Sequence, residues 1–301
     1  MSEKRQDVQW FVREYVCANG VCEKTKFPLR AEGERSARSG SDYKRRLRKA
    51  EKNVTQAKHE AARTANNNFF AGRDKLLTCT ISDEGMELLV ARAGTDDPDE
   101  LLLRLRTEIG NWMKRARRRL RAMGIEAKYM AFTADLDGKR LTPARPHVHM
   151  LVNREAAEVL EETWDLGLAG SRTLWSAHQG DLTDLVEYLM AQTRTVGTEK
   201  RYIPSRNLEK PLASRPRYAR NPDAELRVPR GCSLIWKSEQ RAGRPQKIRY
   251  YRPSADRKKG GNADEQTEIQ VVELCEVDDP AVSGADGGAA PETGGGDHAK
   301  I

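Results

Sequence analysis

The sequence predicts an α+β protein whose antiparallel sheet follows the β-α-β-β-α-β, or ferredoxin-like, plan. Three observations support this fold class. A long amphipathic helix follows a β-rich segment, two more β-rich segments flank a short polar turn, and a second helix precedes a fourth β-rich segment. Because a short turn joins antiparallel strands, the second and third strands are expected to form a central hairpin.

The first strand is predicted at Lys75 to Ser82, between turn-forming residues on both sides. A helix over residues 99–123 follows, and Gly124 ends it. Its apolar residues recur every three or four positions, which places them on one helix face, and arginines occupy the other. The apolar positions are Leu102, Leu105, Ile109, Trp112, Ala116, Leu120 and Met123.

The second strand is predicted at Lys128 to Thr133, and a turn around Asp137-Gly138-Lys139 leads into a third strand, Arg145 to Val152. Asn153 then caps a short helix. The fourth strand is expected at Ser171 to Ser176, and a last helix runs from Asp181 to about Thr193. In this plan the third strand lies inside the sheet.

The chain divides by composition into three parts. Residues 1–42 read as an irregular segment, residues 43–252 as one domain, and residues 253–301 as a disordered acidic tail rich in Gly and Ala. The domain begins with a basic helix from Tyr43 to about Thr64, which Asn66-Asn67-Asn68 is expected to break. It ends with a hairpin from Trp236 to Tyr251.

Charge is unevenly distributed along the chain. The net charge is +8, yet residues 254–301 hold 11 acidic and 4 basic residues, so the preceding part holds 34 acidic and 49 basic ones. A strongly basic domain favours a polyanionic partner, and nucleic acid is the first candidate. The basic helix fits either a contact along a duplex or a solvated surface.

The five cysteines are odd in number and scattered, and no apolar leader or long apolar run occurs. We therefore expect a reduced, soluble, cytoplasmic protein. Cys17 and Cys22 lack a second Cys/His pair at zinc spacing, which argues against a structural zinc site.

Two of the five histidines, His147 and His149, alternate along the third predicted strand. Side chains on a strand repeat every two residues, so both imidazoles face the same side and can bind one divalent metal ion. Tyr188 lies in the last helix, whose buried stripe is predicted to comprise Leu182, Leu185, Val186, Leu189 and Met190. The tyrosine is about 100° or more away from that stripe, so it is free to face a site.

A His-hydrophobic-His strand followed about 40 residues later by a tyrosine helix resembles the HUH endonucleases. In particular, the chain is similar to rolling-circle replication initiators of plasmids and phages related to the filamentous-phage gene II protein. The resemblance covers roughly residues 43–252. It is carried by NNNFFAGRDKLLTCTIS, KYMAFTADLDGKRLTPARPHVHMLV, GDLTDLVEYLMAQ and RYIPSRNLEKP.

The resemblance implies a ferredoxin-like HUH domain that nicks single-stranded DNA at a replicon origin, where a hairpin is expected. Tyr188 would be the nucleophile, leaving a 5′-phosphotyrosyl enzyme and a free 3′-hydroxyl, with religation later. His147 and His149 would hold Mn²⁺ or Mg²⁺. A host helicase and polymerase would be partners in a bacterial cytoplasm. The basic residues expected to contact DNA are Arg115, Arg118, Arg145, Arg194, Lys200, Arg206 and Lys210.

The chain departs from the family pattern at three positions. Ala134 stands where a glutamate often supplies a third metal ligand, which leaves Asp135, if a bulge begins there, or Asp137 in the turn. Ala191 stands where a lysine is common, so Arg194, Lys200 or Arg206 would have to substitute. Gln192 stands where some members have a second tyrosine.

Two other functions remain open. A relaxase or transposase of the HUH group would use the same chemistry, although relaxases typically carry a third histidine and transposases are usually shorter. A non-catalytic DNA-binding regulator would keep the fold and bind DNA without metal or a covalent adduct.

Overall fold

The computed structural model describes residues 8–29, 42–137, 142–193, 201–239, 241 and 243–253, and only the backbone of residues 42–52. Of the tail predicted over residues 253–301, residues 254–301 lie outside the described part of the chain. None of the described helices is long and apolar enough to cross a membrane. The helices are α1 (Asp42–Asn68), α2 (Asp83–Ala93), α3 (Pro98–Ala122), α4 (Arg154–Thr163) and α5 (Thr183–Ala191).

The strands form two antiparallel sheets, so the predicted α+β class is confirmed. The first sheet, in the order of the strands along the chain, contains β1 (Gln9–Val16), β2 (Val21–Leu29), β8 (Leu212–Ala213), β9 (Arg217–Tyr218), β10 (Ser233–Lys237) and β11 (Gln246–Tyr251). The second contains β3 (Lys75–Cys79), β4 (Tyr129–Leu136), β5 (Pro143–Val152), β6 (Ala169–Thr173) and β7 (Ile203–Pro204).

The second sheet has the strand order β6-β3-β5-β4-β7. The histidine strand β5 therefore lies inside the sheet, as predicted. Its register places His149 opposite Thr78 of β3 on one side and Phe132 of β4 on the other. His147 lies opposite Ala134.

Helices cover both faces of this sheet. Leu77 and Met150 point to one face and pack in a core with Leu105 and Trp112 of α3. Leu76, Phe132 and Leu151 point to the other face, where the core includes the end of α1 and the buried stripe of α5. Burying one large apolar side chain contributes about 1.5–3 kcal/mol. Because side chains alternate along β5, the histidines lie on the α1 and α5 face.

Helix α3 begins where the sequence predicts. Pro98 occupies its first turn, and the Asp97 carboxylate accepts the backbone N–H groups of Asp99 and Glu100. Helix α2 was not predicted, because Asp83-Glu84-Gly85 reads as a turn. In the structure these residues start a helix that is capped by the Ser82 hydroxyl and ended by Gly94.

The prediction that residues 1–42 are irregular is wrong for the part described, because β1 and β2 pair along their whole length. β2 also pairs with β11, so the predicted C-terminal hairpin, which is confirmed as β10 and β11, completes the same sheet. Charged residues at buried positions of β2 remove the alternation of apolar and polar residues that would identify a strand in the sequence. Lys26, for example, is buried and donates to the carbonyls of Pro222 and Ala224.

The three asparagines do not break α1, which continues through Asn68. Each side chain bonds a different part of the chain. Asn66 accepts the backbone N–H of Leu182, Asn67 accepts that of Ala18, and Asn68 accepts that of Glu209. These contacts satisfy polar groups near the helix end and tie α1 to both sheets.

Candidate active site

The two histidines of β5 lie together on the α5 side of the sheet. Their ring centroids are 4.8 Å apart and the rings are perpendicular. Both rings are partly buried. Burial, with a smaller contribution from the neighbouring His147, lowers the pKa of His149 to about 3. His149 is therefore neutral at pH 7, which is the form that binds metals.

Hydrogen bonds orient both imidazoles. Nδ1 of His147 lies 2.9 Å from the carbonyl oxygen of Arg145, so in the neutral ring Nδ1 carries the proton and Nε2 presents a lone pair. Nδ1 of His149 lies 3.1 Å from the hydroxyl of Thr78, its partner across the β3–β5 ladder. Such bonds orient metal-binding histidines in proteins.

Gln192 is the residue that sequence reasoning missed. It is 2% exposed and caps the end of α5, and its side chain acts on His149 by raising the pKa of that histidine against the larger effect of burial. Its backbone oxygen accepts the N–H of Asp135 at 3.4 Å, beside Ala134. The end of α5 thus lies next to the position where the resemblance would place a glutamate ligand. The signal available in the sequence was its position one helical turn after Tyr188.

These donors fit a divalent cation. Two imidazole nitrogens and one carboxamide oxygen are a donor set that Mn²⁺ accepts, and Mg²⁺ accepts the oxygen more readily than the nitrogens. Among the described residues, no three His, Cys, Asp or Glu side chains come together as a metal site.

Tyr188 is 38% exposed on α5, whereas Val186, Leu189 and Met190 are buried. The predicted exposure of the tyrosine is confirmed. Residues four apart on a helix are neighbours on one face, so Tyr188 and Gln192 lie on the same side of α5. Tyr188 is thus one helical turn before the residue through which α5 contacts the histidine hairpin.

A buried polar cluster fixes the start of α5. The Asp181 carboxylate accepts the backbone N–H and the hydroxyl of Thr183, at 3.0 and 2.6 Å, and a carboxamide N–H of Asn66 at 2.9 Å. Arg249 of β11 donates to the same carboxylate at 2.6 Å. The first sheet and α1 thus hold the helix that carries Tyr188.

The two aspartates proposed as third ligands lie at the end of the hairpin. The β4–β5 register shifts between Ala134 and Leu136, so a bulge occurs at Asp135, as that proposal required. Asp135 is 7% exposed and lines a cavity of about 350 Å³ with Pro98 and Leu101, on the α3 side. Asp137 is exposed in the turn. Neither forms a three-ligand group with the histidines among the described residues.

One basic residue predicted to contact DNA lies beside the histidines. The Arg145 backbone contacts His147, and its guanidinium donates to the carbonyl of Ile81 at 3.2 Å. Arg206 is exposed. It lies near the opposite end of β4, since the neighbouring Ser205 accepts the N–H of Tyr129, the first residue of that strand. Lys210 is exposed farther along the same segment.

The other four predicted basic residues lie either across the sheet from the histidines or outside the described residues. Arg115 and Arg118 are exposed on α3, across the sheet from the histidine face, and Arg115 pairs with Asp165 at 2.6 Å. Arg194 and Lys200 lie outside the described residues.

The chain was compared with known protein families, curated proteins and solved structures. No family model, curated protein or solved structure matches it.

Proposed function

We propose that this chain is a rolling-circle replication initiator that nicks single-stranded DNA at a replicon origin by metal-dependent transesterification. The observation that carries the proposal is the contact between the end of α5 and the histidine hairpin, where the Gln192 backbone oxygen accepts the N–H of Asp135 at 3.4 Å. It supports placing the helix of the exposed Tyr188 beside the histidine pair.

The strand order supports the same proposal. Strands β3, β4, β5 and β6 follow one another along the chain, and across the sheet they stand in the order β6-β3-β5-β4. Along the chain, helices lie between β3 and β4 and between β5 and β6. This arrangement agrees with the ferredoxin-like plan of the HUH group. The histidines lie on a central strand, where both neighbours restrain them.

In the proposed reaction, the phenol oxygen of Tyr188 attacks the scissile phosphorus. A bond forms between that oxygen and phosphorus, the bond from phosphorus to the 3′ oxygen breaks, and the 3′ oxygen takes up a proton as the phenol loses one. The products are a 5′-phosphotyrosyl enzyme and a free 3′-hydroxyl. Because one phosphoester replaces another, a later 3′-hydroxyl can reverse the step and religate the strand without ATP.

His147, His149 and Gln192 would hold the metal ion, with Asp135 or Asp137 the alternatives inferred from the sequence. A bound divalent cation would polarise the phosphate and offset the charge that develops during attack. The orientation of His147 by the Arg145 carbonyl and of His149 by Thr78 keeps the donors in place. We propose Mn²⁺ or Mg²⁺ as the cofactor.

The proposed partners follow from this reaction. The 3′-hydroxyl is a primer for a host polymerase, and a host helicase would unwind the duplex ahead of it, in a bacterial cytoplasm. Exposed arginine or lysine residues would contact the phosphates, and Arg145, whose carbonyl oxygen bonds His147, is one of them.

A labelled-oligonucleotide experiment tests the proposal. The full chain, its Tyr188→Phe variant and a Tyr218→Phe control are incubated with single-stranded fragments of the replicon, with Mn²⁺ or EDTA. Tyr218 is a suitable control because it is 61% exposed on the other sheet. We expect a denaturation-resistant adduct carrying the 3′ fragment for wild type and Tyr218→Phe with Mn²⁺ only. An adduct that persists in Tyr188→Phe would contradict the assignment.

Metal binding is tested separately by Mn²⁺ titration followed by electron paramagnetic resonance. Gln192→Ala should weaken Mn²⁺ binding about tenfold or more, because losing a ligand or the residue that orients it costs that much. Gln56→Ala, an exposed glutamine on α1, should bind as wild type does. Equal affinity in all three proteins would remove Gln192 from the site.

A DNA-binding regulator is the second candidate. Residues 1–253 hold 49 basic and 34 acidic residues, and this excess of positive charge supports DNA binding with or without a metal ion. DNA binding that EDTA leaves unchanged, together with no adduct on any origin fragment, would make this the better account.

A further inference from the structure

A cavity of about 490 Å³ lies where the two sheets meet, apart from the histidines. The β1–β2 turn and the end of β11 line it from the first sheet. The loops at Phe70 and at Gln179–Gly180 line it from the second. Its volume is in the range of roughly 300–1,000 Å³ typical of small-molecule sites, which often occur at such junctions.

The walls of this cavity suit a planar heteroaromatic group. Phe70 and Tyr251 contribute aromatic rings, and Gln179 contributes an exposed carboxamide. None of the described residues that line the cavity is acidic. The guanidinium of Arg73 lies 4.2 Å from the centre of the Phe70 ring and is paired with Asp74 at 2.9 Å, and the basic residue that lines the cavity itself is Arg252.

Gln179 and Gly20, which both line this cavity, have a positive φ angle. Gln179 has φ 47°, and it is the one residue other than glycine with positive φ in the part of the chain that the structure describes. This conformation costs about 1–2 kcal/mol for a residue with a side chain. Gly20 has φ 91°, and a β-carbon there would lie 2.7 Å from the Tyr251 ring, so only glycine lets that ring lie along the cavity.

The cavity adjoins the proposed nicking site through α5. Gln179 and Gly180 directly precede Asp181, whose carboxylate accepts the N–H of Thr183 at the start of the helix, and Tyr188 lies five residues beyond Thr183. At 1.5 Å per residue this is about 8 Å of helix, to which the three residues from Gly180 to Thr183 are added. A short stretch of single strand covers such a distance.

We propose that this cavity binds one nucleobase of the single DNA strand, next to the scissile phosphate, by stacking against Phe70 or Tyr251. The inference rests on the proposed function in taking the strand to be DNA. Stacking of one base on an aromatic side chain contributes about 1–3 kcal/mol. Loss of the contact therefore weakens strand binding about fivefold to 150-fold.

Binding of a fluorescent single-stranded DNA pool of random sequence tests the proposal, with the full chain in EDTA. Ala18→Trp fills the cavity and should weaken binding at least fivefold, whereas Ala91→Trp on the exposed face of α2 should not. Gln179→Gly removes the carboxamide and the positive-φ strain together. It should weaken binding while its thermal unfolding temperature stays equal to or above that of wild type.

Photocrosslinking identifies the site directly. With 5-iodouracil in place of thymine in the pool, mass spectrometry should locate crosslinks at Phe70 or Tyr251, and Ala18→Trp should abolish them. Competition with thymidine monophosphate distinguishes a strand from a free nucleotide. Displacement by the monophosphate at the concentration at which unlabelled strand competes would overturn the assignment to a strand.

The failure of this inference differs from the failure of the proposed function. If folded Ala18→Trp binds the pool as wild type does, or if crosslinks occur only at other residues, the cavity is not a base site even where adducts at Tyr188 form. If wild type never forms adducts but Ala18→Trp loses strand binding, the cavity assignment stands and the nicking reaction fails.

Discussion

The ion pair between Asp181 and Arg249 yields the most direct prediction about how α5 is held. The pair is almost fully enclosed, with side-chain exposures of 3% for Asp181 and 11% for Arg249. Asp181→Ala would leave the guanidinium enclosed, with Asp184 at 3.4 Å and the centre of the Trp236 ring at 5.3 Å as its remaining neighbours. It would also remove the acceptor for the N–H of Thr183.

We expect Asp181→Ala to lower the free energy of unfolding by about 3–5 kcal/mol, the usual cost of breaking a buried pair. The matched control is Asp184→Ala, which loses a contact with the same arginine. Asp184 is 65% exposed, so the expected loss is below about 1 kcal/mol. Urea unfolding followed by far-ultraviolet circular dichroism measures both values.

The double variant Asp181→Ala with Arg249→Met separates the unpaired charge from the lost cap. If the enclosed guanidinium causes the damage, the double variant should recover at least about 1 kcal/mol relative to Asp181→Ala alone. Equal losses below about 1 kcal/mol for Asp181→Ala and Asp184→Ala would refute the view that this pair anchors α5.

Two further predictions concern stability. The pKa of His149 lies at about 3 in the folded protein and near 6.5 in an unfolded chain, so the unfolded state binds the extra proton. The stability contributed by His149 is retained above pH 6.5 and decreases as pH falls below it, by at most about 2 kcal/mol at pH 5, less because the ring is partly exposed. His59, whose pKa burial lowers to about 4, adds a second loss in the same pH range. Unfolding of metal-free protein across pH measures this slope, and His149→Gln should flatten it; an unchanged slope in that variant would contradict the burial of His149 as its cause. Gly85→Ala should destabilise the protein by about 2 kcal/mol or more, because a β-carbon there overlaps the carbonyl of Leu166, whereas Gly110→Ala, with open space around it, should stabilise by about 0.5–1 kcal/mol. Opposite results in thermal unfolding would show that Leu166 does not lie against Gly85.

Local patterns were sufficient to predict strands β3, β4, β5 and β6 of the second sheet. The alternation in β5 and the three-four spacing in α3 depend on the period of each element, so both could be read from neighbouring residues. The same periodicity predicted that Tyr188 is exposed. Helix α2 was missed because its first residues also suit a turn, and its cap at Ser82 was not considered.

The first sheet could not be predicted in the same way. β1 and β2 carry charged residues at positions that the fold encloses, and their partners are distant in sequence. Glu23 is buried beside Arg63 and Lys247, so its pKa is lowered by these cations although burial acts in the opposite direction. A strand whose inward positions are charged has no apolar alternation to detect.

The sequence by itself determined which residues share a face: the two histidines on one strand and the tyrosine off the apolar stripe of its helix. Those relations follow from backbone periods of 2 and 3.6 residues, which are local properties. Only the tertiary structure decided that Gln192, 43 positions after His149, reaches that histidine, and that Arg115 and Arg118 lie across the sheet from it. Such contacts depend on how whole elements pack, because the core holds α5 against one face of the sheet and α3 against the other.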